Sequence, residues 1–317
     1  GMNNVGRMTA WGPSLVFFAA MLWATDAPFR LYLTETLSSN FIVLAEHTVD
    51  LLIALPILVW GLRELKNLSR REWLAVVFIA VGGSALASVA FTQSFHYVNP
   101  SVSILLQKIQ PLFAIALAWL FLGEKLSRNF WLWTILALLG AYLVSFPNLT
   151  PQLYAGEEFN PNTMGALLAL TAAALWGAST VFGKFVLRSI SFQMMTSLRF
   201  IGAFVFLGIF TASQRSFPAV GTMTSTDWLF IATIAATSGI FSLFIYYYGL
   251  QFTRASIATL AELGFPLAAV FVNAYFIAQT PVAGAYFGLV AGQWLGTAIL
   301  LFALYMLSRV NKEEKFS

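Results

Sequence analysis

Ser101-Val102-Ser103-Ile104-Leu105-Leu106-Gln107-Lys108-Ile109-Gln110-Pro111-Leu112 is an apolar stretch interrupted by Gln107-Lys108 and by Pro111. It reappears 155 residues later as Ser256-Ile257-Ala258-Thr259-Leu260-Ala261-Glu262-Leu263-Gly264-Phe265-Pro266-Leu267. Without a gap, Ser101 falls on Ser256, Leu105 on Leu260, Gln107 on Glu262 and Pro111-Leu112 on Pro266-Leu267. The same shift sets Glu72-Trp73-Leu74 on Asp227-Trp228-Leu229 and Phe121 on Phe276. A shift of 153 sets Leu22-Trp23 on Leu175-Trp176 and Phe29 on Phe182. Matches among apolar residues are common by chance, so the Trp and Pro coincidences carry the weight. The chain reads as two copies of one unit.

The medium around those copies follows from composition. Of 317 residues, 59% are hydrophobic and only 9% charged, against about 25% charged in soluble domains. Its solvent must be lipid. A span needs about 20 mostly apolar residues, and ten windows qualify. They are Pro13–Leu33, Asn40–Leu62, Glu72–Phe95, Asn99–Gly123, Arg128–Phe146, Met164–Leu187, Phe192–Thr211, Asp227–Phe252, Ala255–Gln279 and Ala283–Leu307. With the N-terminus inside, twelve of the seventeen Lys and Arg fall in inner segments and only Arg215 outside. Lys and Arg mark cytoplasmic loops, so both termini are expected in the cytoplasm of a bacterial inner membrane.

Five spans per copy is an odd number, which forces the second copy to start from the opposite side. The expected fold is an all-α integral membrane protein: ten transmembrane helices as two inverted five-helix repeats around a central cavity, the plan of many secondary transporters. The first repeat takes residues 1–148 and the second, with a short cytoplasmic tail, 164–317. A periplasmic linker, 149–163, carries Pro, Asn and the pair Glu157-Glu158. The first apolar stretch holds Asp26, Pro28 and Arg30 and lacks a small-residue cleavage site, so it is not a removable signal peptide.

Several chemistries drop out. The chain has no cysteine and two histidines, which removes disulfides, thiolate metal sites and iron–sulfur clusters; no metal and no cofactor is expected. A net charge of +4 spread along the chain gives no stripe for nucleic acid. The expected partners are a small-molecule substrate and the lipid bilayer. Gly177 to Gly183-Lys184 imitates a phosphate loop, but five residues intervene instead of four and Phe185 replaces the Ser or Thr that would hold magnesium.

Ala174-Leu175-Trp176-Gly177-Ala178-Ser179-Thr180 and its counterpart Met21-Leu22-Trp23-Ala24-Thr25 resemble the opening helix of EamA-type repeats. Gln110-Pro111-Leu112-Phe113-Ala114, running to Phe121-Leu122-Gly123-Glu124, resembles the close of that repeat's fourth helix; Gln279 stands where the second copy would carry the matching Glu. These repeats belong to the drug/metabolite transporter superfamily, within which the chain is most similar to the bacterial aromatic amino acid exporters of the YddG type. The resemblance implies a ten-helix bundle around a cavity that exports amino acids, aromatic or other neutral, and related small metabolites.

Ionisable groups inside lipid are costly unless paired or hydrated, so they mark cavities or structural pairs. Asp26 and Arg30 share a helix face, as a local ion pair or as a gate. Glu46, His47 and Asp50 cluster near the membrane midplane, to relay a proton or to pack the second span against Arg30 or Arg199. Gln107, Lys108 and Glu262 each lie one turn before a proline, which frees carbonyls for a ligand; Lys108 and Glu262 match the two charges of an amino acid, or else bridge each other. Trp23, Trp176, Ser179 and Thr180 offer an aromatic wall and hydroxyls, or ordinary packing. Of Tyr246-Tyr247-Tyr248, at most two can face a cavity and an aromatic belt is the simpler expectation; Tyr246 joins the candidate set. Lys184 is expected to snorkel toward headgroups.

The glycines of the last span, Gly284, Gly288, Gly292 and Gly296, form a stripe suited to packing within the bundle or to a homodimer seam. Besides a carrier working by alternating access, the same cavity suits an integral-membrane enzyme or a flippase for lipid-linked substrates. The sequence has no nucleophile motif or metal cluster for an enzyme, and no catalytic residue is expected.

Overall fold

The computed structural model describes residues 2–87, 90, 106–146, 149, 154–155, 158–159, 163–219, 221–272, 275 and 291–314. Helix α1 (Met2–Trp23) passes through a single 3-10 turn, Ala24–Asp26, into α2 (Ala27–Thr34). Helix α3 spans Ser39–Trp60, and α4 (Arg70–Val77) continues into a π-helical stretch, Phe78–Leu86. Then come α5 (Gln110–Leu122), α6 (Arg128–Ser145) and two short antiparallel strands, β1 (Tyr154–Ala155) and β2 (Glu158–Phe159). The second half holds α7 (Thr163–Val186), α8 (Phe192–Ser213) and α9 (Ser225–Ile234). A π-helical stretch (Ala235–Gly239) leads from α9 into α10 (Ile240–Gln251), followed by α11 (Ala255–Ala261), α12 (Gly264–Val272) and α13 (Ala291–Glu314).

The protein is an all-α, multi-pass membrane fold. Among the described residues, seven helical runs are long and apolar enough to cross a bilayer, and Gln110–Leu122 and Arg128–Val144 are shorter apolar helices. The expected third, fourth, ninth and tenth windows lie partly outside the described residues, as do Gly284, Gly288 and most of the 149–163 linker. Apolar side chains face outward: Trp60 is 84% and Leu52 77% exposed. Polar ones turn inward, with Thr196, Ser197, Ser242, Ser256 and Asn311 fully buried. That inversion is what a lipid solvent selects.

Local sequence sets the helix ends in the same way in both halves. Ser69 and Glu72 form a reciprocal capping box at the start of α4, and Thr224 and Asp227 form one at the aligned start of α9. The π-helical stretches overlap under the same 155-residue shift. Each of the helices holding Gln107 and Glu262 breaks for a turn just before its proline, at Lys108-Ile109 and at Glu262-Leu263.

Packing repeats the correspondence. Exchanging α1 with α7, α3 with α8, α5 with α11 and α12, and each π-helical stretch with the other maps the main contacts onto themselves. Thus α1 against α10 answers α7 against Phe78–Leu86, and α5 against α7 answers α12 against α1, while α3–α8 and α6–α13 map onto themselves. In the α6–α13 crossing, Gly140 and Gly296 face each other. A Cβ on Gly296 would lie 2.8 Å from the Gly140 carbonyl oxygen. At Gly296, therefore, the stripe serves packing within the chain and is not free for a homodimer seam.

Candidate functional site

Breaks and bulges surround one interior cavity of about 370 Å³, within the range of small-molecule pockets. Every residue singled out above as a site candidate lines it. Gln107, Lys108, Trp176, Ser179, Thr180 and Glu262 do so together with Trp23 and Tyr246. The acidic and basic candidates Asp26, Arg30, Glu46, His47 and Asp50 complete the wall from α2, α3 and the turn before α2.

One side of the wall is an ion cluster. The Arg30 guanidinium lies 2.7 Å from Asp26 and 2.8 Å from Glu46, and the Ser238 hydroxyl donates to Asp26 at 3.2 Å. The alternative in which Glu46 packs the second span against Arg30 is the observed geometry. His47 stands apart from this cluster. Its Nδ1 lies 2.8 Å from the Val43 carbonyl oxygen, which only accepts, so Nδ1 carries the hydrogen; the ring packs on Phe200 at 4.9 Å. Asp50 reaches across to the second π-helical stretch and accepts from the Ile240 amide at 3.2 Å. Gly239 is required there, because a Cβ would sit 2.4 Å from the Asp50 carboxylate.

The opposite side is built by α7, α10 and the broken helices. Tyr246 donates to Thr180 at 3.1 Å, and Thr180 donates to Glu262 at 2.8 Å. Trp23 packs its ring on Tyr246 at 5.3 Å. Gln107 donates to Gln110 at 2.6 Å, and the Ser179 hydroxyl is spent on the Leu175 carbonyl. Gly177 lets α5 approach closely, a Cβ there meeting the Gln110 oxygen at 3.0 Å. The proposed Lys108–Glu262 bridge is not formed: Lys108 Nζ is buried and has no partner among the described residues.

Two expectations are corrected. Tyr246 and Tyr247 are 2% and 0% exposed, so they belong to the interior rather than to an interfacial belt. Lys184 does not snorkel; its ammonium donates to the Leu250 and Gln251 carbonyls at 2.8 and 2.9 Å. These carbonyls lie in the last turn of α10, an end that favours a cation, and the Leu250 carbonyl also accepts from the Thr253 amide.

The sequence names Arg199 only as a packing partner for the second span; it lines the cavity and donates to Ser84 at 2.9 Å and to Tyr247 at 2.9 Å. Its signal was present, as an ionisable residue within an apolar span. Ser84, Ser238, Gln110 and Thr259, also on the wall, are polar residues too ordinary in a helix to stand out. On the far side of α5, Glu124 accepts from the Ala255 and Ser256 amides at 2.6 and 3.0 Å and so caps α11. Gly123, in a left-handed conformation with φ 65°, ends α5 and turns the chain to allow this.

Among the described residues no group of three His, Cys, Asp or Glu side chains is placed to hold a metal. The EamA-like transporter family model matches the chain twice, at residues 10–146 and 163–309. A riboflavin transporter of Fusobacterium nucleatum, ImpX, is 32% identical over 287 residues, covering 86% of this chain and 93% of its own. A Bacillus subtilis transporter, YwfM, is 24% identical, with 95% of this chain and 94% of its own covered. A solved crystal structure superposes with a TM-score of 0.71 over 95% of this chain and 98% of that one, at 13% identity. That likeness concerns the fold alone.

Proposed function

The chain belongs to the EamA-like transporter family, and from that premise we propose that it is a carrier moving a small aromatic metabolite across the bacterial inner membrane by alternating access. In this reading ten spans form two five-span copies of opposite polarity, residues 1–148 and 164–317, joined by a periplasmic linker, with both termini in the cytoplasm. The observation that carries it is the cavity, with Trp23, Gln107 and Lys108 of the first copy and Trp176, Thr180, Tyr246 and Glu262 of the second on one wall. A site between copies is where rocking of one copy against the other exposes the ligand to each side in turn.

Two substrates fit that frame. The similarity to a riboflavin transporter favours a flavin-like fused ring, for which the Trp23–Tyr246 pair supplies a stacking surface. The presence of Lys108 and Glu262 on one wall favours the second reading, export of an aromatic or other neutral amino acid. The test is counterflow in proteoliposomes, with labelled riboflavin and labelled tryptophan as separate substrates. Saturable exchange with either supports a carrier. Flux that rises linearly with concentration and shows no exchange rejects it. A lipid-linked flippase would instead move a labelled lipid across the bilayer with no counterflow of either solute.

A further inference from the structure

The cavity wall carries buried nitrogen donors with no acceptor in place among the described residues. Each carboxylate there already has a protein donor: Asp26 has Arg30 and Ser238, Glu46 has Arg30, Asp50 has the Ile240 amide and Glu262 has Thr180. The donors are not matched in this way. Arg30 is engaged by two carboxylates, whereas neither Lys108 nor Arg199 has one within 4.0 Å among the described residues. Arg199 is held only by the neutral hydroxyls of Ser84 and Tyr247. Lys108 Nζ, Trp23 Nε1 and Thr259 Oγ1 are buried with no hydrogen-bond partner among the described residues; Glu46 Oε1 is in the same state but lies 2.8 Å from the Arg30 guanidinium.

Lys and Trp donate and never accept through these atoms. A buried donor with no acceptor is costly, and more so when charged. The groups able to repay that cost must come from outside the chain. An ammonium group on a ligand would have to share carboxylates that already accept from protein donors, and would face Lys108 and Arg199 on the same wall, where like charges repel.

Resting on the carrier reading, we infer that the substrate of this cavity is an aromatic molecule with an acceptor edge, neutral or anionic, and that Lys108 and Trp23 select it against amines. The acceptor edge is either a pair of ring carbonyls or a carboxylate. The ring lies against Trp23 and Tyr246 while Lys108 and the Trp23 indole N–H bind its acceptors. This favours the flavin-like ligand over the zwitterionic amino acid.

The test is a binding series on the purified full chain, read by thermal shift in detergent. The ligands are riboflavin, indole-3-acetate, tryptophan and tryptamine, the last three holding the ring constant while the charge runs from anion through zwitterion to cation. Riboflavin and indole-3-acetate are expected to stabilise, with tryptamine weaker by about 10- to 100-fold, the range of one hydrogen bond to a charged group. Lys108→Met is expected to raise the melting temperature of the unliganded protein and to remove the preference for the anion, and Lys108→Arg to restore that preference. Trp23→Phe keeps a ring and loses the donor, so riboflavin binding falls and tryptamine binding does not. Tryptophan or tryptamine binding as well as indole-3-acetate overturns the inference. So does the absence of any shift with riboflavin and indole-3-acetate, or an unliganded Lys108→Met protein no more stable than wild type. Counterflow separates this from the carrier reading: the expected binding order without exchange leaves the ligand class standing and removes the carrier.

Discussion

Gly296→Ala tests the claim that the last span is locked to α6 inside one chain. A Cβ at residue 296 would lie 2.8 Å from the Gly140 oxygen, the Leu143 Cβ and the Val144 nitrogen. Two of these are backbone atoms and cannot swing aside. Ordinary contact begins at 3.4 Å, so the helices must separate by about 0.6 Å. A gap of that size forfeits roughly a quarter to a half of each flanking contact. The flanking side chains include Ala137, Ala141, Leu300 and Ala303, all 2% exposed or less. Overpacking of this kind costs about 1–3 kcal/mol, and the better helix propensity of Ala offsets about 1 kcal/mol of it. The net expectation is a loss of up to about 2 kcal/mol, a fall of up to roughly 8 °C at about 2–4 °C per kcal/mol. Gly208→Ala is the control, because its nearest neighbour is the Leu44 Cδ1 at 4.0 Å and only the propensity gain of about 1 kcal/mol applies. The assay is scanning fluorimetry of the purified protein, paired with light scattering for oligomeric state. If Gly296→Ala melts at or above wild type while converting dimer to monomer, the residue lies in a seam between copies and the reasoning is wrong.

Three further outcomes are expected. Arg30→Met strips the partner from two carboxylates; breaking a buried pair costs about 3–5 kcal/mol, reduced here to roughly 2–3 because a third of the Arg30 side chain is exposed. Adding Glu46→Gln should return part of the lost melting temperature, and no return would mean that Glu46 is not held by Arg30. Glu124→Ala removes the cap from α11 at about 0.5–2 kcal/mol, and in this cysteine-free chain it should raise maleimide labelling of a Ser256→Cys variant, with equal labelling counting against the cap. If His47 relays a proton, His47→Ala flattens the pH dependence of transport, whereas superimposable profiles dispose of the relay.

The sequence disclosed the repeat because Trp and Pro are rare enough for their recurrence to carry information, and it disclosed the cavity residues because lipid makes any ionisable group conspicuous. Asp26, Arg30, Glu46, His47, Asp50, Lys108 and Glu262 were all visible for that reason. Arg199 obeys the same rule and reads only as a packing partner because no motif surrounds it. The partners were harder to read. Lys184 sits where snorkelling is the ordinary fate of a lysine, yet its ammonium finds the carbonyl end of α10, a relation between helices remote in sequence. Tyr246 and Tyr247 resemble a belt because position along a span is legible, whereas rotation about its axis is not when every face is apolar. The π-helical stretches were invisible, since Phe78–Leu86 and Ala235–Gly239 use the same small residues that ordinary helices use in lipid.

Those stretches each meet an ionisable group from the helix packed beside them, of opposite sign in the two copies. A π-helical turn widens the helix and shifts its hydrogen bonds, and in lipid the disturbed groups must be satisfied by neighbours. In the second copy the neighbour is Asp50 of α3, which accepts from the Ile240 amide beside Gly239. In the first copy Arg199 of α8 meets the stretch at a side chain instead, donating to the Ser84 hydroxyl. Gly83 aligns with Ser238 and Ser84 with Gly239 under the 155-residue shift, so at these two positions glycine and serine stand in reversed order. The room at each glycine is taken by a side chain from another helix, Ser179 at Gly83 and Asp50 at Gly239. The scaffold is thus nearly two-fold while the charges it presents are not, an acid reaching in from α3 and a base from α8. A cavity with that polarity cannot hold a ligand equally well in both orientations.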